Sequence, residues 1–290
     1  MEDNTIIAEE KKTTKCLNCG TEFEGNFCPE CGQRADTKRF TIRFIFTNLL
    51  QAILSNDGGV WFTLKTLFTR PGQMMIDILN GKRKSYFSPF PMLFLVLSLY
   101  VLIFTFTGSR DTDMNAIDKV IQEEAATAVE IKGDNVDGAT LFRNQLVGGL
   151  ALCGKLYQNH YTLMMLLTIP VYIAMARLCY GRTNRRRYNW GEYCIPVVYA
   201  TIIVFLYRCL ASILFVFSEK IYDSMDSLGW LVTIIAYSMC FKKMLEFSVV
   251  KTAWRSALVY VFYFATMFVL VVIALVAVIA YYMQKYNIEL

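Results

Sequence analysis

Near the start of the chain stand two turns of the same type, Cys16-Leu17-Asn18-Cys19-Gly20 and Cys28-Pro29-Glu30-Cys31-Gly32. Thiolates are soft ligands, and a Cys-x-x-Cys turn brings two of them together in one tight loop. Two such turns so close together describe one tetrahedral four-thiolate metal site. The chemistry expected of Cys16, Cys19, Cys28 and Cys31 is structural, because four thiolates fill a zinc ion's coordination shell and leave no position for a catalytic water. Iron in a rubredoxin-like site is the lesser alternative, since the Cys-Pro-x-Cys-Gly turn suits either metal. Thiol redox chemistry would call for a Cys-x-x-Cys opening a helix within a βαβ unit, a context the sequence does not offer.

The elements that must position these thiols are short. Gly20 and Gly32 fit turns that need a positive φ, so that backbone N–H groups can face the sulfurs. Pro29 stiffens the second turn, and Phe23 and Phe27 are expected to form a small apolar patch beneath the metal. A ribbon over residues 16–34 cannot bury enough surface to fold alone, so the metal would supply much of its folding free energy. Residues 1–15 are polar, carry no apolar core of a signal peptide, and read as a disordered tail.

Composition places the ribbon on a membrane protein. The chain is 55% hydrophobic, with 21 Phe and 17 Tyr against a single His, above the roughly 45–50% apolar content usual in soluble domains. The net charge of +5 comes from basic clusters between apolar runs, the distribution of membrane loops, and this accounts for the charge without a nucleic-acid partner. Of nine cysteines, the five outside the quartet (Cys153, Cys179, Cys194, Cys209, Cys240) follow no repeated spacing. They read as small hydrophobes in a reducing compartment, not as a disulfide framework.

Residues 37–87 read as cytosolic amphipathic helices. Thr41 is a candidate N-cap for a one-sided helix carrying Ile42, Ile45, Phe46, Leu49, Leu50, Ile53 and Leu54. A second helix carries Trp61, Leu64, Leu67 and Phe68, and a third runs from Gln73 to Leu79. Lys82, Arg83 and Lys84, followed by Tyr86 and Phe87, mark the interface of a first span. These helices either lie on anionic headgroups or pack against the spans.

The cysteine quartet, the Trp61…Thr66…Arg70-Pro71-Gly72 segment and Gly81-Lys82-Arg83-Lys84-x-Tyr86-x-x-Pro89 together resemble an uncharacterised family of bacterial membrane proteins, a domain of unknown function common in Bacteroidetes. The resemblance covers about residues 16–107. It implies an N-terminal zinc ribbon on several spans and no assigned activity. The layout alone is also similar to that of the five-span Yip1-type proteins.

Residues 88–290 are expected to form an all-α transmembrane bundle. The apolar runs long enough to cross a bilayer are about 89–107, 161–180, 194–217, 228–241 and 256–283, the fourth being short. The intervening segment 108–160 is acid-rich, 181–193 basic, 218–227 acidic and 242–255 basic. That alternation predicts five spans, with the N-terminus in the cytosol and the C-terminus outside, and the family resemblance implies that the membrane is the bacterial cytoplasmic (inner) membrane. The 108–160 loop is then external, with a small helix over Met114–Ile131.

Inside the spans charge is scarce. Arg177 sits near a cytosolic end, where it can snorkel, and His160 lies at the outer start of the second run. Arg208 falls within the third run with no acid expected in a neighbouring span, which makes it a candidate polar site. It either satisfies carbonyls, Tyr hydroxyls or outer headgroups, or contacts a substrate or lipid. Intramembrane carboxylate pairs, nucleophile elbows, phosphate loops and inverted repeats are all lacking. The function expected is therefore not enzymatic. It is a membrane-anchored interaction or scaffolding protein with a cytosolic protein partner, the alternative being a transporter or lipid-handling protein working around Arg208.

Overall fold

The fold is that of a computed structural model, which describes residues 13–37, 39–41, 43, 59–107, 119, 161–184 and 188–286. The expected tail, the helix carrying Ile42 to Leu54, the Met114–Ile131 helix, His160 and Cys153 lie essentially outside the described residues.

A small head comes first. Strands β1 (Thr14–Lys15) and β2 (Glu22–Phe23) pair antiparallel, with Thr14 opposite Phe23 and Lys15 opposite Glu22. An isolated bridge between Phe27 and Arg34 closes the second cysteine turn in the same way. Of the two phenylalanines, Phe23 packs beneath the thiols, buried with Cys16 and Cys28, and Ala35 packs against the same cluster. Phe27, expected to share that patch, is 60% exposed, because its bridge to Arg34 faces it outward, where the Arg34 guanidinium approaches its ring.

Two short helices follow, α1 (Val60–Thr69) and α2 (Pro71–Leu79). The apolar stripe expected on α1 splits. Thr63 and Leu67 are buried, while Trp61, Phe62 and Phe68 are exposed, Trp61 by 79%. The core-facing side is thus set by Thr63, which donates to Gly59 O (3.0 Å) and accepts from the Phe87 N–H (2.8 Å). Pro71 starts α2 where no N–H is needed. Met74, Met75 and Ile78 then turn into the core.

Among the described residues, five longer helices follow: α3 (Pro89–Phe106), α4 (Tyr161–Asn184), α5 (Trp190–Phe215), α6 (Glu219–Met244) and α7 (Val249–Tyr286). Helix α5 is the centre, packed by α3, α4 and α6, with every residue from 191 to 200 buried. Helix α6 also packs on α2 and α7, and α4 on α7. Aromatic stacking fills the layer between them, including Tyr180 on Phe241 (4.6 Å) and Tyr172 on Tyr263 (3.9 Å). Cys194, Cys209 and Cys240 are buried and unbridged, as small hydrophobes should be.

Among the described residues, four helices are long and apolar enough to cross a membrane: Pro89–Phe106, Trp190–Phe215, Glu219–Met244 and Val249–Ile273. The chain therefore has the build of a membrane protein. The run expected at 161–180 lies in α4, whose described apolar part, Leu167–Gly181, is shorter than a full span. The 228–241 segment is not short after all. Its helix begins at Glu219, because the acidic stretch read as a loop supplies its first turns.

The tightest crossing is between α2 and α6. A Cβ placed on Gly72 would stand 2.6 Å from Lys243 Cβ, closer than carbon atoms can approach. Gly72→Leu should lower stability by about 1–3 kcal/mol, the range for overpacking a well-filled contact, read as a lower thermal midpoint in detergent. An unchanged midpoint would mean that α2 does not seat on α6.

Candidate metal centre and its dock

The four thiols converge. All four Sγ atoms lie within 4.8 Å of one another, with Cys16 to Cys31 and Cys19 to Cys28 each at 3.5 Å. Tetrahedral thiolates at the usual zinc–sulfur distance stand about 3.8 Å apart, so the cluster could hold one metal ion. The two turns are built alike. The Cys16 N–H donates to Thr21 O (2.9 Å) and the Gly20 N–H to Cys16 O (3.0 Å). The Cys28 N–H donates to Gln33 O and the Gly32 N–H to Cys28 O, both at 2.8 Å. Gly20 and Gly32 take φ of 84° and 69°, the left-handed conformation these turns require.

Local hydrogen bonding prepares the thiols unequally. The Thr21 hydroxyl, 3.3 Å from Cys19 Sγ, and the Thr21 N–H hold that thiol down to about 6. Burial pushes Cys16 up, but N–H groups of Cys19 and Asn18 outweigh it and leave the thiol below its ordinary value. Burial pushes Cys31 up to about 11, and its sulfur neighbours add to the rise. Without a cation, four adjacent sulfurs resist ionising together, and a bound divalent metal removes that penalty.

The head does not hang from a tether. Gln33, buried at its base, donates through Nε2 to Gly81 O (2.9 Å), while its Oε1 accepts from the Arg83 and Lys84 N–H groups (3.2 and 3.3 Å). Asn18, in the first cysteine turn, accepts from Ser85 N–H (3.3 Å) and Ser85 Oγ (3.0 Å). Leu17 lies so close to Gly81 that a Cβ there would stand 2.7 Å from Leu17 Cδ1. The basic Gly81–Ser85 turn, which reads in sequence as a membrane-interface signal, is also the dock for the cysteine head. Gln33 and Asn18 carried no sequence signal, because an exposed-type amide near a metal turn looks like any solvated residue.

The dock is held from behind. Lys82 Nζ lies 3.6 Å from Asp77 Oδ1, and the Tyr86 hydroxyl donates to Asp77 Oδ2 (3.1 Å). Burial, together with that bond, pushes the phenol up to about 12. Arg83 is turned inward with its guanidinium 3.7 Å above the Phe40 ring, and burial pulls it down to about 10 against the opposing pull of Glu192. Arg39 forms a two-pronged ion pair with Glu192, both contacts at 2.7 Å, and Glu192 raises the Arg39 guanidinium further. Glu192 is 3% exposed. It also accepts from the Asn189 N–H and closes a capping box at the start of α5.

Arg208 sits far from this assembly in sequence and partners. Its Nη1 is 3.5 Å from Asp226 Oδ1. The acid expected to be missing from neighbouring spans is present, because α6 reaches back to Glu219. Tyr207 donates to Met225 O (2.7 Å) beside the pair, and the cavity next to it holds about 10 Å³, room for one water. Arg177 stacks over Trp190 (4.7 Å) and Tyr193 (5.5 Å) and donates to Tyr188 O.

Gln33→Leu should remove the polar half of the dock at a cost of about 1–3 kcal/mol, the penalty for leaving buried partners unsatisfied, while the quartet stays intact. The expected result is unchanged metal content per chain with faster proteolysis of the head. Metal loss in parallel would show that the quartet and the dock are one cooperative unit.

Residues 57–101 match the protein family described as "Protein of unknown function (DUF3667)". The matched segment, well short of half the chain, contains the Arg70-Pro71-Gly72 crossing and the Gly81–Ser85 dock, and leaves the cysteine head outside it. No curated protein and no solved structure matches the chain. The segment to which the chain is similar is therefore the platform on which the cysteine head sits.

Proposed function

We propose that this chain is a multi-span protein of the bacterial cytoplasmic membrane that serves as an interaction or scaffolding platform, with a structural zinc head on the cytosolic side. The observation that carries the reading is the docking of the head on the Gly81–Ser85 turn through Gln33 and Asn18. A head fixed to a helical base presents one rigid surface to a partner, which a free ribbon would not. A divalent zinc on four thiolates leaves two net negative charges. The Lys84 side chain lies against the second turn, its Nζ 3.8 Å from the position of a Gly32 Cβ, where that charge is offset. Zinc is favoured over iron because two paired Cys-x-x-Cys turns are the usual setting of a structural zinc site.

The topology in this reading has five spans, α4 being the second. Tyr188 and Glu192, which close the basic 181–193 segment in sequence, and Lys243 of the basic 242–255 segment pack at the end of the bundle that carries the head, in keeping with an inside location for that end. No catalytic role is assigned to any residue.

The reading is tested by replacing Cys28 and Cys31 together with Ser. The variant should insert at normal abundance, lose its bound metal, and lose crosslinks to a cytosolic protein captured by the parent chain in native membranes. Retention of every crosslink would overturn the platform role.

A second reading, a transporter or lipid-handling protein centred on Arg208, draws on the Arg208–Asp226 pair inside the candidate spans. Arg208→Leu should then abolish activity at normal abundance, whereas a purely structural pair predicts a loss of stability alone. The small adjoining cavity favours the structural role.

A further inference from the structure

A groove of about 970 Å³ lies where the start of α2 meets the end of α6, on the same end of the bundle as the head but separate from the cysteine site. Its rim carries Arg70, Gln73, Lys242 and Lys243, with a single carboxylate, Glu246. Lys243 donates to Gln73 Oε1, so one cation is already held in place by the helix opposite. The floor is apolar, formed by Met239 and Phe247. Three cations against one carboxylate, set over an apolar floor, define an amphipathic site for an anion with a hydrocarbon tail.

The surface of α6 extends that floor along the helix. Leu231 and Ile235 are exposed, by 40% and 48%, and with Met239 and Lys243 they follow a four-residue spacing, so neighbours along the series adjoin in one ridge that winds slowly about the helix. From Leu231 to Lys243 the stripe runs about 18 Å at 1.5 Å per residue. It is apolar along the span and cationic at its end. A phosphate alone would use the rim and leave this track unused.

We propose that the α2–α6 groove binds one anionic phospholipid, its phosphate among Arg70, Lys242 and Lys243 and one acyl chain along Met239, Ile235 and Leu231. Gly72 lets the two helices approach closely enough to set Arg70 opposite Lys243. The site rests on the membrane reading of the chain but not on the zinc head or any partner.

The test uses the full-length chain purified in mild detergent. Phosphatidylglycerol and phosphatidylcholine are titrated in, and the lipid retained per chain is read by native mass spectrometry. The parent chain should retain phosphatidylglycerol in preference to phosphatidylcholine. Lys242→Gln with Lys243→Gln should weaken that retention about fivefold per cation removed, from the contribution of a basic residue beside anionic lipid. Lys242→Arg with Lys243→Arg should keep it, and Lys251→Gln, a cation outside the groove, should leave it unchanged. Ile235→Asp, which charges the tail track and spares the rim, should also weaken retention. Thermal midpoints close to that of the parent establish that each variant is folded, and a variant that melts early is replaced by Arg70→Gln.

Equal retention of both lipids, or an equal loss in Lys251→Gln, overturns the proposal. So does displacement of the lipid by millimolar glycerol phosphate, which would mark a site for soluble phosphate. Release of the parent chain from membranes by alkaline carbonate would instead overturn the membrane reading itself, and with it the lipid.

Discussion

The Glu192 carboxylate is the constraint on which the head end of this molecule depends. It is buried at the third position of α5, where an acid is favoured by the helix dipole and can close a capping box with Asn189. A buried carboxylate left alone would be costly, and Arg39 answers it with two short hydrogen bonds. Because Arg39 follows the cysteine head in the chain, that pair fixes the segment after the head to the central helix. The same site draws Arg83 inward over Phe40, and Arg83 belongs to the dock. One acid therefore ties together the segment after the head, the turn under the head, and the helix at the centre of the bundle. Gly191 reinforces the junction. A side chain there would collide with the backbone at Phe40 and Thr41.

What could be read from the sequence follows from the range of the interactions concerned. The cysteine quartet was legible because its thiols are local and their spacing alone brings them together. The apolar helices were legible because hydrocarbon demands length and composition, and both are written along the chain. The start of α6 was misread because Glu219, Asp223 and Asp226 look like a loop until Asp226 is given Arg208 as its partner. The facing of α1 was misread for a related reason. Burial of Thr63 is decided by Phe87, which lies beyond the next helix. Docking of the head was not legible at all. It rests on amide side chains and backbone groups of Gly81–Ser85 that no periodicity distinguishes.

The Arg70-Pro71-Gly72 and Gly81–Ser85 stretches, which lie within the matched segment, acquire physical reasons from the fold. The first places a helix start hard against α6, where proline needs no donor and glycine needs no room. The second offers backbone donors and one carbonyl to a neighbouring amide while its cations face both the metal turn and the acids behind it.

The positions of the dock and the Arg39–Glu192 pair also set an order of closure. Gln33 meets Gly81 across 48 residues and Asn18 meets Ser85 across 67, whereas Arg39 meets Glu192 across 153. During synthesis every residue of the head and its dock precedes α3, the first membrane-long helix among the described residues, which begins at Pro89. The shorter closures also carry the smaller entropic cost. Head and dock can thus be complete as a unit while the bundle is still being made. The link through Glu192 joins that unit to the bundle only once α5 has followed, and the α2–α6 crossing at Gln73 and Lys243, across 170 residues, closes this end later still.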